Sequence, residues 1–491
     1  MLAESKFFNS EQALTFDDVL LVPSYSQIVP KDATTKTKLT KNITINTPIL
    51  AAAMDTVSED KMAVAMASLG GIAVIHKNNT IEEQVGFVKN VKRFESYLVL
   101  NPITISKDKK VSQALDLMQS KKISGLPVVS QDGTIEGIIT DRDVKFCQDT
   151  SVLIESLMTK SVITVKKNIT RTQIEQMFAK HKVEKLVVVD EANKCTGLIT
   201  AKDIQKSITN PLASRDNFGR LLACAAIGVS DNCLERALRL IEADIDVLVL
   251  DSAHGHSANI IKRLELLKNE IAKRELTKPI DIIVGNVVTP QAVIDLCKAG
   301  ADGIKVGIGP GSICTTRIVA GVGFPQLSAV MQCAKAAESF GVPVIADGGI
   351  KTSGDIAKAI AAGASSVMLG SLLAGTEESP GETFFYNGRS YKSYRGMGSG
   401  AAMLKGSADR YFQDSNAQRD KLVAEGVEAA VAFKGSVSSV VYQLVGGLKS
   451  SMGYTGNQTI ADMQQNCKFI KITNAGLAES HPHSVRVTNE S

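Results

Sequence analysis

The sequence predicts an α/β protein, a (β/α)8 TIM barrel interrupted by a duplicated module. Three observations predict it. Eight short apolar runs alternate with longer amphipathic stretches of helical period. Each run ends in glycine or in polar residues. Between the second and third runs the alternation breaks, and an internal repeat takes its place.

The runs are, in order, "PILAAAM" (48–54), "GIAVIH" (71–76), "LLACAAIG" (221–228), "DVLVLDSAHG" (246–255), "DIIVGNV" (281–287), "GIKVGIG" (303–309), "PVIADGG" (343–349) and "SVMLGS" (366–371). Their length and their content of Val, Ile and Ala suit parallel strands buried on both faces. Helical patterns such as "SDNCLERALRLIEA" (230–243) and "TPQAVIDLCKAG" (289–300) lie between them. The second opens on Thr-Pro and stops at Gly, good start and stop signals. A doubly wound open sheet would show the same alternation, because periodicity alone does not count barrel closure. In a barrel the run ends meet at one rim: Asp55, His76, Lys77, Gly228, Asp251, Ser252, Asn286, Gly307, Gly309, Asp347, Gly349, Gly370 and Ser371. That rim is where such folds place their chemistry.

The repeat spans residues 94–213 with an ungapped offset of 60. "ISGLPVV" (123–129) aligns with "VEKLVVV" (183–189), and "GIITDRDVK" (137–145) with "GLITAKDIQ" (197–205). Two copies of one supersecondary unit, packed as a pair, are expected. The barrel then falls in two parts, 1–93 and 214–491.

Composition bounds the rest. The chain has 491 residues, enough for two or three domains. A 44% hydrophobic and 22% charged content is that of a folded globular protein. A net charge of +4 argues against nucleic acid as the main partner. The eight cysteines are scattered and form no CxxC pair, which reads as reduced thiols. "MLAESKFFNSEQ" lacks the basic-then-apolar pattern of a leader, and no apolar stretch nears the ~20 residues of a membrane span. A soluble cytoplasmic protein is expected.

The stretch "GIGPGSICTTR" (307–317) carries the chemistry. Its glycines let backbone approach a ligand, and Cys314 has Gly, Ser and Thr neighbours where a packed cysteine has apolar ones. It reads as a nucleophile on a loop. "ADGGIKTSGD" (346–355), with two glycines between a strand and a helix starting near Thr352, and "LGSLLAGT" (369–376), with Gly-Ser at the end of the next strand, read as phosphate cradles. The loops after strands seven and eight of a barrel commonly bind phosphate. No GxxxxGK[ST] and no GxGxxG after the first strand is present, against a P-loop or Rossmann site. Residues 388–412, "GRSYKSYRGMGSGAAMLKGSADRYF", read as an extended functional loop holding Arg410 and Tyr411. His254 and His256 in "DSAHGHS" suggest a turn onto a helix sooner than a metal site.

"GIGPGSICTTR", "DSAHGHS", "IADGGI", "YRGMGS", "DRYF" and "ESHPH", in this order along nearly the whole chain, resemble the inosine-5′-monophosphate (IMP) dehydrogenase family of the bacterial type. The repeat resembles a tandem CBS (Bateman) module, with copies near 96–153 and 157–213. The resemblance implies oxidation of IMP to xanthosine 5′-monophosphate (XMP) by NAD⁺, the committed step to guanine nucleotides. It implies Cys314 as nucleophile on C2 of the base, and Arg410 and Tyr411 on a flap near 386–425 as the water-activating group, with Thr316 assisting. Ser312, Asp347, Gly348, Gly349, Gly370, Ser371 and Tyr394 would hold ribose and phosphate. Arg395, Gly396, Met397, Gly398 and Glu425 would read the base. Asp251, Ser252, Asn286, Gly307, Ile308 and Gly309 would face NAD. Carbonyls of Gly307, Gly309 and Cys314 would form half a potassium site, and Glu479, Ser480 and His481 of a neighbouring subunit the other half. A homotetramer is implied, pairing into octamers through the CBS modules, whose cleft would take purine nucleotides; "TDRD" (140–143) resembles the ribose and phosphate contacts, and in the second copy, "TAKD" (200–203), the first Asp is lost. GMP reductase shares barrel and cysteine loop and is the nearest alternative. A nucleotide-sensing protein with an inactive barrel is the alternative from another class.

Overall fold

The structure is a computed structural model describing residues 8, 12–94, 98–100, 102–121, 123–166, 169, 171–201, 204, 210–274, 276, 278–414 and 419–486. Eight parallel strands close into a barrel. They are β1 (Ile49–Ala51), β2 (Ile72–Ile75), β3 (Cys224–Ile227), β4 (Val247–Asp251), β5 (Asp281–Val287), β6 (Gly303–Val306), β7 (Val344–Asp347) and β8 (Ser366–Leu369). Each lies within one of the eight apolar runs. Neighbours in space are neighbours in sequence, and Val367 of β8 registers with Ile49 of β1 to close the ring. That closure excludes the open sheet. Residues of seven of the eight strands, Leu50, Val74, Ala226, Val249, Ile283, Ile345 and Met368, form one packed cluster, so the barrel is a filled core.

The helices follow their start signals. Thr289 accepts a bond from the Ala292 N–H at the head of helix Pro290–Lys298. Thr352 and Asp355 close a reciprocal capping box on helix Ser353–Ala361, at the place the sequence puts a phosphate cradle. Ser257 caps helix Ala258–Ala272, so "DSAHGHS" does turn onto a helix.

The chain divides into two compact units, one of residues 1–91, 212–214 and 222–491, the other of 92–211 and 215–221. In the second, helix Val111–Lys121 and strands Gly125–Val129 and Ile135–Thr140 recur sixty residues on as Arg171–His181, Lys185–Val189 and Cys195–Thr200. Each copy has its own apolar core, around Leu126 and Ile139 in one and Leu186 and Ile199 in the other. The Asp143 carboxylate accepts from the Thr140 N–H and hydroxyl, both at 2.7 Å, and so closes the first turn of its own short helix. Lys202 and Asp203 of "TAKD", and nearly all of residues 1–11, lie outside the described residues. The return segment regains the barrel unit at Ser214, whose N–H and hydroxyl donate to the Ala67 and Gly70 carbonyls.

One expectation fails. Much of 388–412 is regular: β10 (Arg389–Arg395) lies between β9 (Thr383–Tyr386) and β11 (Glu428–Ala432) in an antiparallel sheet, and helical turns run from Gly400 to Tyr411. The cause is a two-residue alternation in which the buried members are Lys392 and Tyr394. Lys392 is buried because its ammonium donates to the carbonyls of Thr376 (3.0 Å) and Ser379 (2.5 Å). Among the described residues, no helix is long and apolar enough to cross a membrane.

Candidate active site

A cavity of about 380 Å3 opens at the C-terminal rim of the barrel, walled by the loops after β6, β7 and β8 and by the segment from Tyr394 to Glu425. Its volume is that of a small-molecule site. The loop after β6 carries Cys314. Gly307 has φ 147°, and a Cβ there would stand 2.1 Å from the Asp347 carbonyl, so only glycine lets the loop cross the end of β7. The half-buried Cys314 thiol donates to Thr316 Oγ1 at 3.2 Å. Backbone bonds from Thr315 N–H to the Glu425 carbonyl (2.9 Å) and from Val427 N–H to the Ile313 carbonyl (3.0 Å) pin this loop to the strand entering β11. The Glu425 N–H in turn donates to the Gly398 carbonyl at 2.9 Å. Cys314, Thr316, Glu425 and Gly398 thus share one wall.

Glycine turns packed against the start of this loop continue the lining, a Cβ on Gly348 standing 3.0 Å from Pro310. Gly348 and Gly349 both hold positive φ, 88° and 80°, ahead of the capped helix Ser353–Ala361. A Cβ on Gly370 would come within 2.7 Å of the Tyr394 hydroxyl. Burial pushes Tyr394 up to about 12, against a bond to Ser312 that lowers it, so the phenol stays protonated and able to donate.

The floor holds a charge cluster. Lys305 projects from β6 and is 1% exposed. Its ammonium reaches Asp347 Oδ2 at 2.9 Å, Asp251 Oδ1 at 3.0 Å and the Asn286 carboxamide oxygen. The Asn286 amide donates to the Gly307 carbonyl at 2.6 Å and to Asp347 Oδ2 at 2.9 Å. Over this floor the Arg410 guanidinium pairs with Asp251 Oδ2, and the Ala253 N–H donates to the Arg410 carbonyl at 3.0 Å. Tyr411 packs under Gly398, and burial raises its hydroxyl while Arg410 opposes the shift.

The cavity therefore gathers Asp251, Asn286, Gly307, Ile308, Gly309, Ser312, Cys314, Thr316, Asp347, Gly348, Gly349, Gly370, Ser371, Tyr394, Gly396, Met397, Gly398, Arg410, Tyr411 and Glu425. Other expected residues lie off it. Arg395 forks onto Asp55, Nε to Oδ1 at 3.0 Å and Nη2 to Oδ2 at 2.6 Å, so its side chain is committed elsewhere. Burial alone would raise the Asp55 carboxyl, yet the fork from Arg395 holds it below the carboxylate range. Ser252 is fully buried behind the wall, with its hydroxyl on the His254 carbonyl at 3.2 Å. His256 bonds to Asp295 at 2.9 Å. Glu479, Ser480 and His481 are exposed at the end of helix Asn474–Glu479, away from their own chain's cavity.

Sequence reasoning missed Lys305 and Met54 as cavity residues. The signal for Lys305 was present: a lone lysine inside a run that is otherwise apolar. The eight thiols are free. Burial raises those of Cys195, Cys224, Cys233, Cys297, Cys333 and Cys467, with Cys233 and Cys297 at about 11 and Cys333 at about 12. Such thiols are inert.

Residues 13–483 match the family model described as IMP dehydrogenase / GMP reductase domain. Inosine-5′-monophosphate dehydrogenase of Helicobacter pylori (strain ATCC 700392 / 26695) is 54% identical over 481 residues, 98% of each chain. That of Bacillus subtilis (strain 168) is 51% identical over 492 residues, 99% of this chain and 98% of the relative. A solved structure of GMP reductase from Trypanosoma brucei, in complex with guanosine 5′-monophosphate, superposes with a TM-score of 0.81 at 41% identity, covering 99% of this chain and 100% of that one. With a family model matched over nearly the whole chain and relatives of this identity and coverage, the chain belongs to the IMP dehydrogenase / GMP reductase family.

Proposed function

We propose that this chain oxidises IMP to XMP with NAD⁺ through a covalent intermediate on Cys314. The observation that carries the reading is that the thiol, the glycine turns and the Arg410–Tyr411 flap all face one cavity. Cys314 Sγ adds to C2 of the base, hydride leaves C2, and the resulting thioimidate is hydrolysed to XMP. Gly348, Gly349, Gly370, Ser371 and Ser312 hold the phosphate with backbone N–H groups and hydroxyls, and Asp347 takes the ribose. The main chain from Gly396 to Gly398, with Glu425, orients the base against the thiol.

Bound NAD⁺ supplies the hydride acceptor. The residues present fit its ribose: Asp251 is buried at the rim, and its Oδ1 stands 3.0 Å from Lys305 without a hydrogen bond of good geometry among the described residues. In this structure Arg410 occupies the other oxygen of that carboxylate. Flap and dinucleotide therefore compete for Asp251, which separates the dry hydride step from the wet hydrolytic one. With the flap in, Arg410 and Tyr411 activate water, and Thr316 assists from beside the thiol. Arg410 Nε has no partner among the described residues and leaves a donor for that water.

Potassium suits the carbonyls of Gly307, Gly309 and Cys314. They are hard oxygen donors, and among the described residues those of Gly309 and Cys314 accept no hydrogen bond. With Glu479, Ser480 and His481 of a second copy, the ion would order the cysteine loop. The remaining expectations stand beside this reading: a cytoplasmic homotetramer, octamers through the repeat, and purine nucleotides at that CBS-like module.

Reduction of GMP is the second reading, favoured by the 41% identical reductase structure. Relatives at 54% and 51% identity named as dehydrogenases outweigh it. The test is a rapid acid quench of enzyme mixed with IMP and NAD⁺, followed by peptide mass analysis. A nucleotide adduct on the Cys314 peptide is expected. Turnover by the Cys314→Ala variant near the unmodified rate would overturn the mechanism.

A further inference from the structure

The turn that carries Arg410 is anchored by a charge pair that the mechanism above does not use. Lys77 follows β2, and Asp409 immediately precedes Arg410 in the turn Ala408–Tyr411. Their side chains are 8% and 9% exposed and form an ion pair. The Lys77 ammonium also donates to the Gly406 carbonyl at 3.0 Å, and the Val229 N–H donates to Asp409 Oδ2 at 3.3 Å. Gly228 makes the room: a Cβ there would lie 2.5 Å from Asp409 Oδ2 and 2.9 Å from Lys77 Nζ.

We propose that Lys77 and Asp409 are positioning residues, a latch that seats the flap so that Arg410 reaches the reaction cavity. This rests on the reading that Arg410 serves hydrolysis. The peptide from Asp409 to Arg410 leaves little slack, so fixing the carboxylate at the barrel rim fixes the guanidinium over Asp251. Burial lowers the Lys77 amine while Asp409 opposes the shift, as expected for an ammonium retained by its partner. A buried charge stripped of its partner is costly. The flap can escape that cost by lifting Asp409 into water, whereas a core pair could escape only by unfolding. Loss of either partner therefore opens the flap and leaves the barrel intact.

Lys77→Met and Asp409→Asn each test this, from the two sides of the contact. Rapid-quench kinetics should show an NADH burst within about threefold of the unmodified enzyme, with thioimidate hydrolysis slowed about 10²–10³-fold, the size expected for breaking a buried pair. The double variant should be no slower than either single, since the pair acts as a unit. Hydrogen exchange should speed up in residues 400–414 and stay unchanged in the barrel strands. Equal loss in both chemical steps, or unchanged exchange in 400–414, overturns the latch. Arg410→Ala run alongside separates the two readings. If it leaves hydrolysis intact, water activation by Arg410 is wrong. The latch is then decided by hydrogen exchange alone, which does not depend on which residue activates water.

Discussion

Replacing Lys305 by Met keeps an unbranched apolar stem, one atom shorter, and removes the charge from the floor of the cavity. The ammonium lies 2.9 Å from Asp347 and 3.0 Å from Asp251. At an effective dielectric near 20, each contact is worth about 5.5 kcal/mol of Coulomb energy before desolvation. Desolvating a buried ammonium offsets much of that sum, and breaking such pairs costs about 3–5 kcal/mol net. The cluster goes from two cations and two carboxylates, with Arg410 and Lys305 facing Asp251 and Asp347, to a net negative floor. Asp347 and Asp251 then swing toward water, and both proposed ribose contacts are lost together. Steady-state NADH formation should show kcat/KM for IMP and for NAD⁺ each down by about 10²–10³-fold. Circular dichroism and gel filtration check that the barrel remains folded. If kcat/KM for both stays within threefold of the unmodified enzyme in folded protein, the cluster does not hold the ribose-binding carboxylates.

Cys314→Ala should eliminate NADH formation while IMP affinity, measured by calorimetry, stays within about tenfold, because the proposed phosphate and ribose contacts come from other residues. Gly370→Ala puts a methyl 2.7 Å from the Tyr394 hydroxyl and should raise KM for IMP more than it lowers kcat; an unchanged KM would show that Tyr394 does not face the nucleotide. Replacing 94–211 by a short linker should leave soluble, active barrel, since Ser214 and its bonds to Ala67 and Gly70 are kept; insoluble product would make the repeat part of the catalytic core. Activity should rise with KCl at constant ionic strength and not with LiCl, and truncation after Asn474 should remove the effect; turnover indifferent to potassium contradicts the shared carbonyl site.

Strand count and order were legible because a (β/α)8 barrel buries every strand on both faces, and continuous apolar runs announce that. The repeat was legible because duplication keeps its offset: Gly125–Val129 and Lys185–Val189 match end to end. The cysteine loop was legible from its glycines, whose positive φ at 307 and 309 the structure explains by crowding against Asp347 and Arg317. The flap's secondary structure was not. Its inward residues are Lys392 and Tyr394, and a buried lysine satisfied by carbonyls is indistinguishable in sequence from a solvated one. Lys305 stood out as a lone lysine in an apolar run, but its Asp347 partner is 42 residues away, and the Lys77–Asp409 pair, 332 residues apart, left no such signal. Arg395 shows the converse, since its motif placed it beside the base and a distant aspartate claimed its side chain.

The most direct measurement is a paired assay on one preparation of the full-length protein: NADH production from IMP plus NAD⁺, and NADPH consumption with GMP, with nucleotide products identified by chromatography. Dehydrogenation requires stoichiometric NADH and XMP, both lost in Cys314→Ala, and no NADPH consumption with GMP. IMP formed from GMP with consumption of NADPH, or NADH formation that survives Cys314→Ala, would contradict it.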